Sequence, residues 1–430
     1  MTTTTRPWRL ACVDCDKTYP PLEIRYRCDC GGTLDVIHDR RPPIDPGVFT
    51  RRWSGREPAD RSGVWRYREL VLPLSPSEIV TRMEGSTNLY SSPRLDAYCG
   101  VEGLVLKHEG ENPTGSFKDR GMTVAMSVAS LLGARAVACA STGNTSASLA
   151  SYAAVAGIPA FVFIPGGKIA YGKLSQALAY GATTIQIDGD FDDAMRIVQR
   201  VCDDESVYLV NSINPYRIEG QKAIGFELLD QLGWEVPDWI VLPGGNLGNS
   251  SAIAKGMVEL YNLGVIDRLP RIAIVQARGA NPLYRAFSTG LSTVDPLPNA
   301  DTIATAIRIG APVSWRKCLR GIDACKGVVT DADDAEILDA KAMVDAAGIG
   351  AEPASCATVA GLRRLVREGV IKPGERIAGI LTGHLLKDPD VVVNYHKREL
   401  EGVDARYANE LVSLPADEET IIAHIRGKLT

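Results

Sequence analysis

Glu111-Asn112-Pro113-Thr114-Gly115-Ser116-Phe117-Lys118-Asp119-Arg120 closes a polar turn and opens on to a run, Met122 to Leu132, that is apolar on nearly every side. Pro113 biases Asn112 away from the helical region, and Gly115 permits a tight bend. Thr114 or Ser116 then stands where it caps the helix that follows. Lys118 falls in the first turn of that buried helix, where the macrodipole disfavours a cation. A lysine so placed and partly desolvated has a depressed pKa and a usable lone pair. Such an amine suits a Schiff base with an aldehyde cofactor. The plain alternative is a solvated lysine at a helix start, and the rest of the chain decides between them.

With 430 residues, 45% of them hydrophobic and 23% charged, the chain has room for two or more domains with ordinary soluble cores. A net charge of -5 gives no reason to expect a nucleic acid or an anionic membrane as partner. Met1 to Arg9 is Thr-rich without an apolar centre, and no apolar run is long enough to span a bilayer, so the expected location is the cytoplasm. Of ten cysteines, six are scattered and read as small core residues, while Cys12, Cys15, Cys28 and Cys30 crowd together. Cys12-x-x-Cys15 and Cys28-x-Cys30-Gly31-Gly32 match the paired knuckles of a zinc ribbon, the second knuckle being one residue short. Four thiolates leave no open position, which makes such a zinc structural. Tyr19, Leu22, Ile24 and Tyr26 between the knuckles suggest a short hairpin, and residues 39–62, rich in Arg, Pro and Asp, read as linker.

After the lysine helix the pattern alternates. Strands are expected at Ala136 to Ala140, Ala160 to Ile164, Thr183 to Ile187 and Val207 to Val210, and one at Val105 to Lys107 leads into the lysine turn. Helices are expected between the later ones, at Ala147 to Ala156, Tyr171 to Tyr180 and Asp192 to Cys202. A second series of strands runs through Trp239 to Leu242, Ile272 to Gln276 and Arg376 to Leu381. Short apolar strands separated by helices build parallel sheets. The expectation is therefore α/β, two parallel-sheet domains with a cleft between them behind a small N-terminal ribbon of four cysteines. The ribbon takes residues 1–40, a large domain 41–108 and 212–400, a small domain 109–211, and a helical extension 401–430.

Three polar turns follow strands, where such sheets bind ligands. Pro243-Gly244-Gly245-Asn246-Leu247-Gly248-Asn249 brings backbone amides and a helix N-terminus to an anion. It fits neither nucleotide-loop pattern, so a single phosphate is its expected ligand. Ser141-Thr142-Gly143-Asn144-Thr145-Ser146 offers hydroxyls, an amide and helix N-terminal donors suited to a substrate carboxylate, with Asn144 able to meet a phenolic oxygen. Leu381-Thr382-Gly383-His384 offers the neutral Thr382 hydroxyl to a ring nitrogen; His384 reads as structural.

Asn112 to Arg120, Ser141 to Ser148, Gly166 to Leu174, Asn211 to Lys222, Thr302 to Trp315, Glu352-Pro353-Ala354-Ser355 and Leu381 to Asp390 together resemble threonine synthase. That family consists of pyridoxal-phosphate enzymes of fold type II. The resemblance implies that Lys118 holds pyridoxal phosphate and shuttles protons. It also implies that Gly245, Asn246, Leu247, Gly248 and Asn249 bind the cofactor phosphate, Asn144 the ring hydroxyl and Thr382 the ring nitrogen. The substrate implied is O-phosphohomoserine, a phosphorylated small molecule. Thr142 and Thr145 then bind it, with Lys168 and Arg217 as cations for the phosphate and Ser212, Asn214 and Lys222 as weaker candidates. The resemblance also implies a homodimer. Ala223, Ala311, Cys356 and Leu385 depart from the expected pattern, where Thr, Asn, Ala and Gly are the residues looked for. Polar side chains lost near a substrate pocket change what is bonded there. This leaves open a paralogue working on another phosphorylated amino acid, as cysteate synthase does with O-phosphoserine and sulfite, or a Ser/Thr dehydratase.

Overall fold

A computed structural model describes residues 6–39, 41, 43–166, 171–189, 191–204 and 207–429. Thirteen strands among them form three sheets. Trp8–Cys12 (β1), Thr18–Tyr19 (β2) and Leu34–His38 (β3) make a small antiparallel sheet in the order β2-β1-β3. Leu89–Tyr90 (β4) and Val105–His108 (β5) belong to a larger sheet. Ala136–Ala140 (β6), Ala160–Pro165 (β7), Thr183–Ile187 (β8) and Val207–Leu209 (β9) form an all-parallel sheet in the order β8-β7-β6-β9. Trp239–Pro243 (β10), Arg271–Ala277 (β11), Val328–Ala332 (β12) and Ile377–Leu381 (β13) complete the larger sheet. Its order is β12-β11-β10-β13-β5-β4, parallel except for β4 at the edge.

β6, β10 and β13 are buried at every residue, as strands covered by helices on both faces must be. β11 lies on one side of β10 and β13 on the other, so the winding reverses there. A crevice for a ligand opens at the carboxyl ends of strands at such a point. The glycine loop leaves β10, Thr382 follows β13, and the lysine loop follows β5.

The lysine helix, Lys118–Leu131, crosses helix Pro215–Gln231 through two glycines. A Cβ on Gly220 would lie 1.8 Å from the Arg120 carbonyl, and one on Gly121 would lie 2.8 Å from the Arg217 carbonyl. No larger residue permits that approach, which brings Arg217 beside Lys118. Under the crossing, Arg120 bonds both Glu109 oxygens at 2.6 Å and Glu227 at 2.8 Å, and Lys107 meets Glu227 at 2.7 Å, all fully buried.

Several expectations require correction. Phe117, with no side-chain cap bond, occupies the N-cap of the lysine helix. The Thr114 hydroxyl donates instead to Asp119, at 2.6 Å, and the buried Ser116 hydroxyl has no partner among the described residues. Residues 20–26 are turn and coil, because Tyr19 pairs back on to β1 and Tyr26 is drawn to β9, where its hydroxyl accepts from the Leu209 amide at 2.7 Å. The stretch read as linker holds helices Gly47–Trp53 and Pro58–Arg61, anchored by Phe49 against Tyr67 with ring centroids 5.0 Å apart. Past residue 400 only Glu418–Leu429 is a long helix.

Candidate active site

The turn before Lys118 is stitched to the end of β13. The Phe117 amide donates to Thr382 O at 3.0 Å, His384 N to Gly115 O at 2.9 Å, and Glu352 N to Gly383 O at 3.0 Å. Three segments distant in sequence thereby meet around one amine. Lys118 is half-buried with Nζ 4.1 Å from the Phe117 ring centroid. Burial first, then the positive charge of Arg217, pulls its pKa down to about 7, while Glu352 acts in the opposite direction. The next residue, Asp119, accepts from Thr114 N at 2.7 Å and from the Thr114 and Ser148 hydroxyls at 2.6 Å each. It ties the lysine loop to helix Asn144–Ala156, and burial raises its carboxyl to about 6.

Among the described residues, several buried polar atoms of the lysine turn, the Asn144 helix, Arg217 and the glycine-loop helix have no protein partner: Asn144 Oδ1, Arg217 Nε and Nη2, Asn249 Oδ1 and Nδ2, and the Ser116 and Ser250 hydroxyls. A folded chain rarely leaves so many polar groups unsatisfied unless a ligand completes them. The glycine loop is equally constrained by close packing. A Cβ on Gly244 would lie 2.5 Å from Ile274 and one on Gly245 3.0 Å from the Ile307 Cα, while Leu247 takes φ 63° to start helix Gly248–Asn262. Backbone amides at a helix N-terminus suit a phosphate. At β13, the Ser355 hydroxyl accepts from the Thr382 and Gly383 amides at 2.9 and 2.8 Å and meets Thr382 Oγ1 at 2.9 Å. Turning the Ser355 hydrogen on to Thr382 Oγ1 frees the threonine's own hydrogen for the cleft. An amine, a phosphate cradle, an amide oxygen and a hydroxyl donor are the groups that pyridoxal phosphate requires, so the residues present fit it.

The structure sorts the residues expected at the site. Thr142 and Thr145 flank the start of helix Asn144–Ala156 and are half-buried. Asn246 uses its side chain within the protein, donating to Ser212 Oγ at 3.1 Å and accepting from Val313 N at 3.0 Å, so its backbone is what remains for a phosphate. Among the described residues Arg217 donates one bond, from Nη1 to Val210 O at 3.2 Å, and burial lowers its pKa to about 10. Asn214 caps helix Pro215–Gln231, and Lys222 points elsewhere, into a buried cluster with Glu219 at 2.5 Å and Glu259 at 2.7 Å. Lys168 lies outside the described residues. Ala223, Ala311, Cys356 and Leu385 do not share one pocket. Ala223 is in the core, Ala311 lines a cavity of about 210 Å³ under Gly31 and Gly32, and Cys356 and Leu385 pack at residues 350–351. Sequence reasoning gave no role to Asp119, Glu352 or Ser355. Glu352-Pro353 reads as an ordinary helix start, and only folding brings it to Lys118.

The Sγ atoms of Cys12, Cys15, Cys28 and Cys30 lie within 4.8 Å of one another. Cys12–Cys30, Cys15–Cys28 and Cys15–Cys30 are 3.5, 3.5 and 3.6 Å apart. A tetrahedron with Zn–S bonds of about 2.3 Å has edges of roughly 3.8 Å, so the donor set fits zinc. The Tyr19 hydroxyl donates to Cys28 Sγ at 3.0 Å and draws that thiol down to about 6.

Fold and site define a fold type II enzyme that uses pyridoxal phosphate. A family model described as "Pyridoxal-phosphate dependent enzyme" matches residues 80–383. Threonine synthase of Methanocaldococcus jannaschii is 48% identical over 383 residues, covering 89% of this chain and 93% of that one. Threonine synthase of Methanosarcina acetivorans is 49% identical over 390 residues, covering 90% and 94%. The crystal structure of threonine synthase from Escherichia coli superposes with TM-score 0.70 at 18% identity over 95% of this chain and 93% of that one, a likeness of fold. The chain belongs to the pyridoxal-phosphate dependent enzymes and, within them, to the threonine synthase family.

Proposed function

We propose that this enzyme converts O-phospho-L-homoserine and water into L-threonine and phosphate. The observation that carries the reading is Arg217, buried beside Lys118 with two guanidinium nitrogens that have no partner among the described residues. A buried cation of that kind is costly unless an anion arrives, and a planar guanidinium fits a phosphate ester. Pyridoxal phosphate, held by Lys118, residues 245–249, Asn144 and Thr382, supplies the electron sink for charge at Cα. Lys118 Nζ, with a pKa near 7, takes the Cα proton and then a Cβ proton. Arg217 steadies the phosphate as it leaves Cγ, and Lys118 returns one proton to Cγ, making the methyl group, and the other to Cα. Water gives its hydroxyl to Cβ and its remaining proton to the phosphate. Thr142 and Thr145 hold the substrate carboxylate at the helix N-terminus. The relatives' names do not favour β-replacement or dehydration, and a dehydratase would have no use for Arg217.

The cysteine ribbon holds one structural zinc in this reading. The chain works as a cytoplasmic homodimer; among the described residues no helix is long and apolar enough to cross a membrane. Residues 41–108 with 212–400 form the larger unit, 109–211 the smaller. Phosphate release and product analysis with O-phosphohomoserine, then with O-phosphoserine plus sulfite, test the reaction. Threonine from the first supports it; turnover of the second alone overturns it. Metal analysis of wild type against Cys12→Ser tests the ribbon, and equal zinc in both defeats it.

A further inference from the structure

We propose that Glu352 is a positioning residue for the cofactor. By holding Nδ2 of Asn144, it obliges that side chain to offer its carbonyl Oδ1 to the ring oxygen. The proposal rests on the pyridoxal-phosphate reading above and adds to it a residue and a direction of hydrogen bonding.

The geometry is one-sided. Asn144 Nδ2 donates to both Glu352 oxygens, at 3.1 and 3.2 Å, across 208 positions of sequence. A carboxylate only accepts, so chemistry alone assigns which end of the amide faces it. Asn144 Oδ1 is buried and has no protein partner among the described residues. It is the amide's acceptor, and an acceptor facing a phenolic oxygen favours the form in which that oxygen carries the proton.

Glu352 is held in place for the task. Its amide donates to Gly383 O at 3.0 Å, and its own carbonyl accepts from Ser355 N at 2.9 Å and Cys356 N at 3.3 Å. Its carboxylate lies flat on Gly383, where a Cβ would come within 2.3 Å of Oε1. A residue with a side chain at 383 would push the carboxylate away. Glycine is needed here for close approach, since the backbone at 383 is not left-handed. The same carboxylate favours the proton on Lys118, opposing Arg217, so one group acts on two ligands of the cofactor.

The test is a double-mutant cycle on the full chain stripped of cofactor, with pyridoxal phosphate titrated back by equilibrium dialysis and absorption. Glu352→Ala is expected to weaken cofactor binding roughly tenfold or more, the worth of a hydrogen bond to a charged group. It should also change the ratio of the two absorption bands that report where the ring proton sits. Glu352→Gln, whose amide oxygen still accepts from Asn144, is expected to restore most of the affinity. In an Asn144→Ala background, Glu352→Ala is expected to have a much smaller effect on both readouts, the remainder coming through Lys118. Equal effects of Glu352→Ala in both backgrounds would overturn the proposal, because Glu352 would then act independently of Asn144. Should Glu352→Ala fail to fold, Gly383→Ala displaces the carboxylate while leaving it in the chain. Unchanged affinity and bands in that variant would equally overturn it. A wild type that takes up no pyridoxal phosphate would sink the functional reading and this inference together, whereas uptake with additive effects sinks this inference alone.

Discussion

Replacing Lys118 by methionine in the cofactor-free protein should make the fold more stable, by an amount that pH controls. The folded state holds this amine at about 7 against an ordinary 10.5, chiefly through burial and Arg217. Between those two values the unfolded chain binds a proton that the folded chain does not, so stability rises with pH across the window. Below about 7 the folded lysine is protonated too and the full penalty applies; above 10.5 it vanishes. At about 1.4 kcal/mol per tenfold in proton affinity, the ceiling is about 5 kcal/mol. Methionine fills a similar volume, carries no charge and removes the penalty.

Thermal melts of both proteins without cofactor, from pH 6 to pH 9, read the difference. The variant is expected to melt several degrees higher at pH 6 and to see that advantage shrink by more than half toward pH 9. With pyridoxal phosphate the order should reverse, since only the wild type gains a covalent ligand. A gap that is constant with pH, or a wild type that is the more stable cofactor-free protein at pH 6, would refute the claim that this amine is held neutral at a cost to the fold.

Arg217→Leu should leave cofactor uptake near normal yet lower kcat/KM for O-phosphohomoserine by roughly 10²–10³-fold, the value of a buried bidentate charged contact, as read by phosphate release. Gly383→Ala should bring a new Cβ within 2.3 Å of Glu352 Oε1 and weaken cofactor binding while far-UV circular dichroism stays unchanged. Arg120→Met should strip Glu109 of its charged partner at 2.6 Å and leave Glu227 to Lys107 alone of the two cations bonded to it, lowering stability by about 3–5 kcal/mol, seen as insoluble expression or a depressed melting point.

Local chemistry was readable from the sequence where it was strong. β6 and β8 begin and end where the apolar runs Ala136 to Ala140 and Thr183 to Ile187 do. The glycine loop and the lysine turn were visible because glycine and proline constrain the chain within a few residues. Capping was misread for a reason equally physical: Asp119 outcompetes the helix for the Thr114 hydroxyl and amide. Residues 39–62 looked like linker because their polar composition hid Phe49 and its contact with Tyr67. β12, with its sequence Val-Val-Thr-Asp-Ala, carries two polar residues and owes its burial to β11 and the helices over it. Glu352 and Ser355 were out of reach, since their partners are Asn144, 208 residues away, and Thr382, 27 away.

Lys118 and Arg120 show why burial alone does not set chemistry. They stand two residues apart on one helix, desolvation is the largest influence on both, and their proton affinities move in opposite directions. Arg120 meets Glu109 through two bonds and Glu227 through a third, so its field favours charge and overcomes the cost of leaving water. Lys118 feels Arg217 against it and Glu352 in its favour, and among the described residues it has no ion pair to hold its proton at 10.5. Exchanging these surroundings would exchange the roles: a lysine among carboxylates is an inert ammonium, whereas one beside a buried arginine is a base near neutral pH. The glycines at 121 and 220 that allow the two helices to cross therefore matter to the chemistry as much as to packing, because a wider crossing would carry Arg217 away from Lys118.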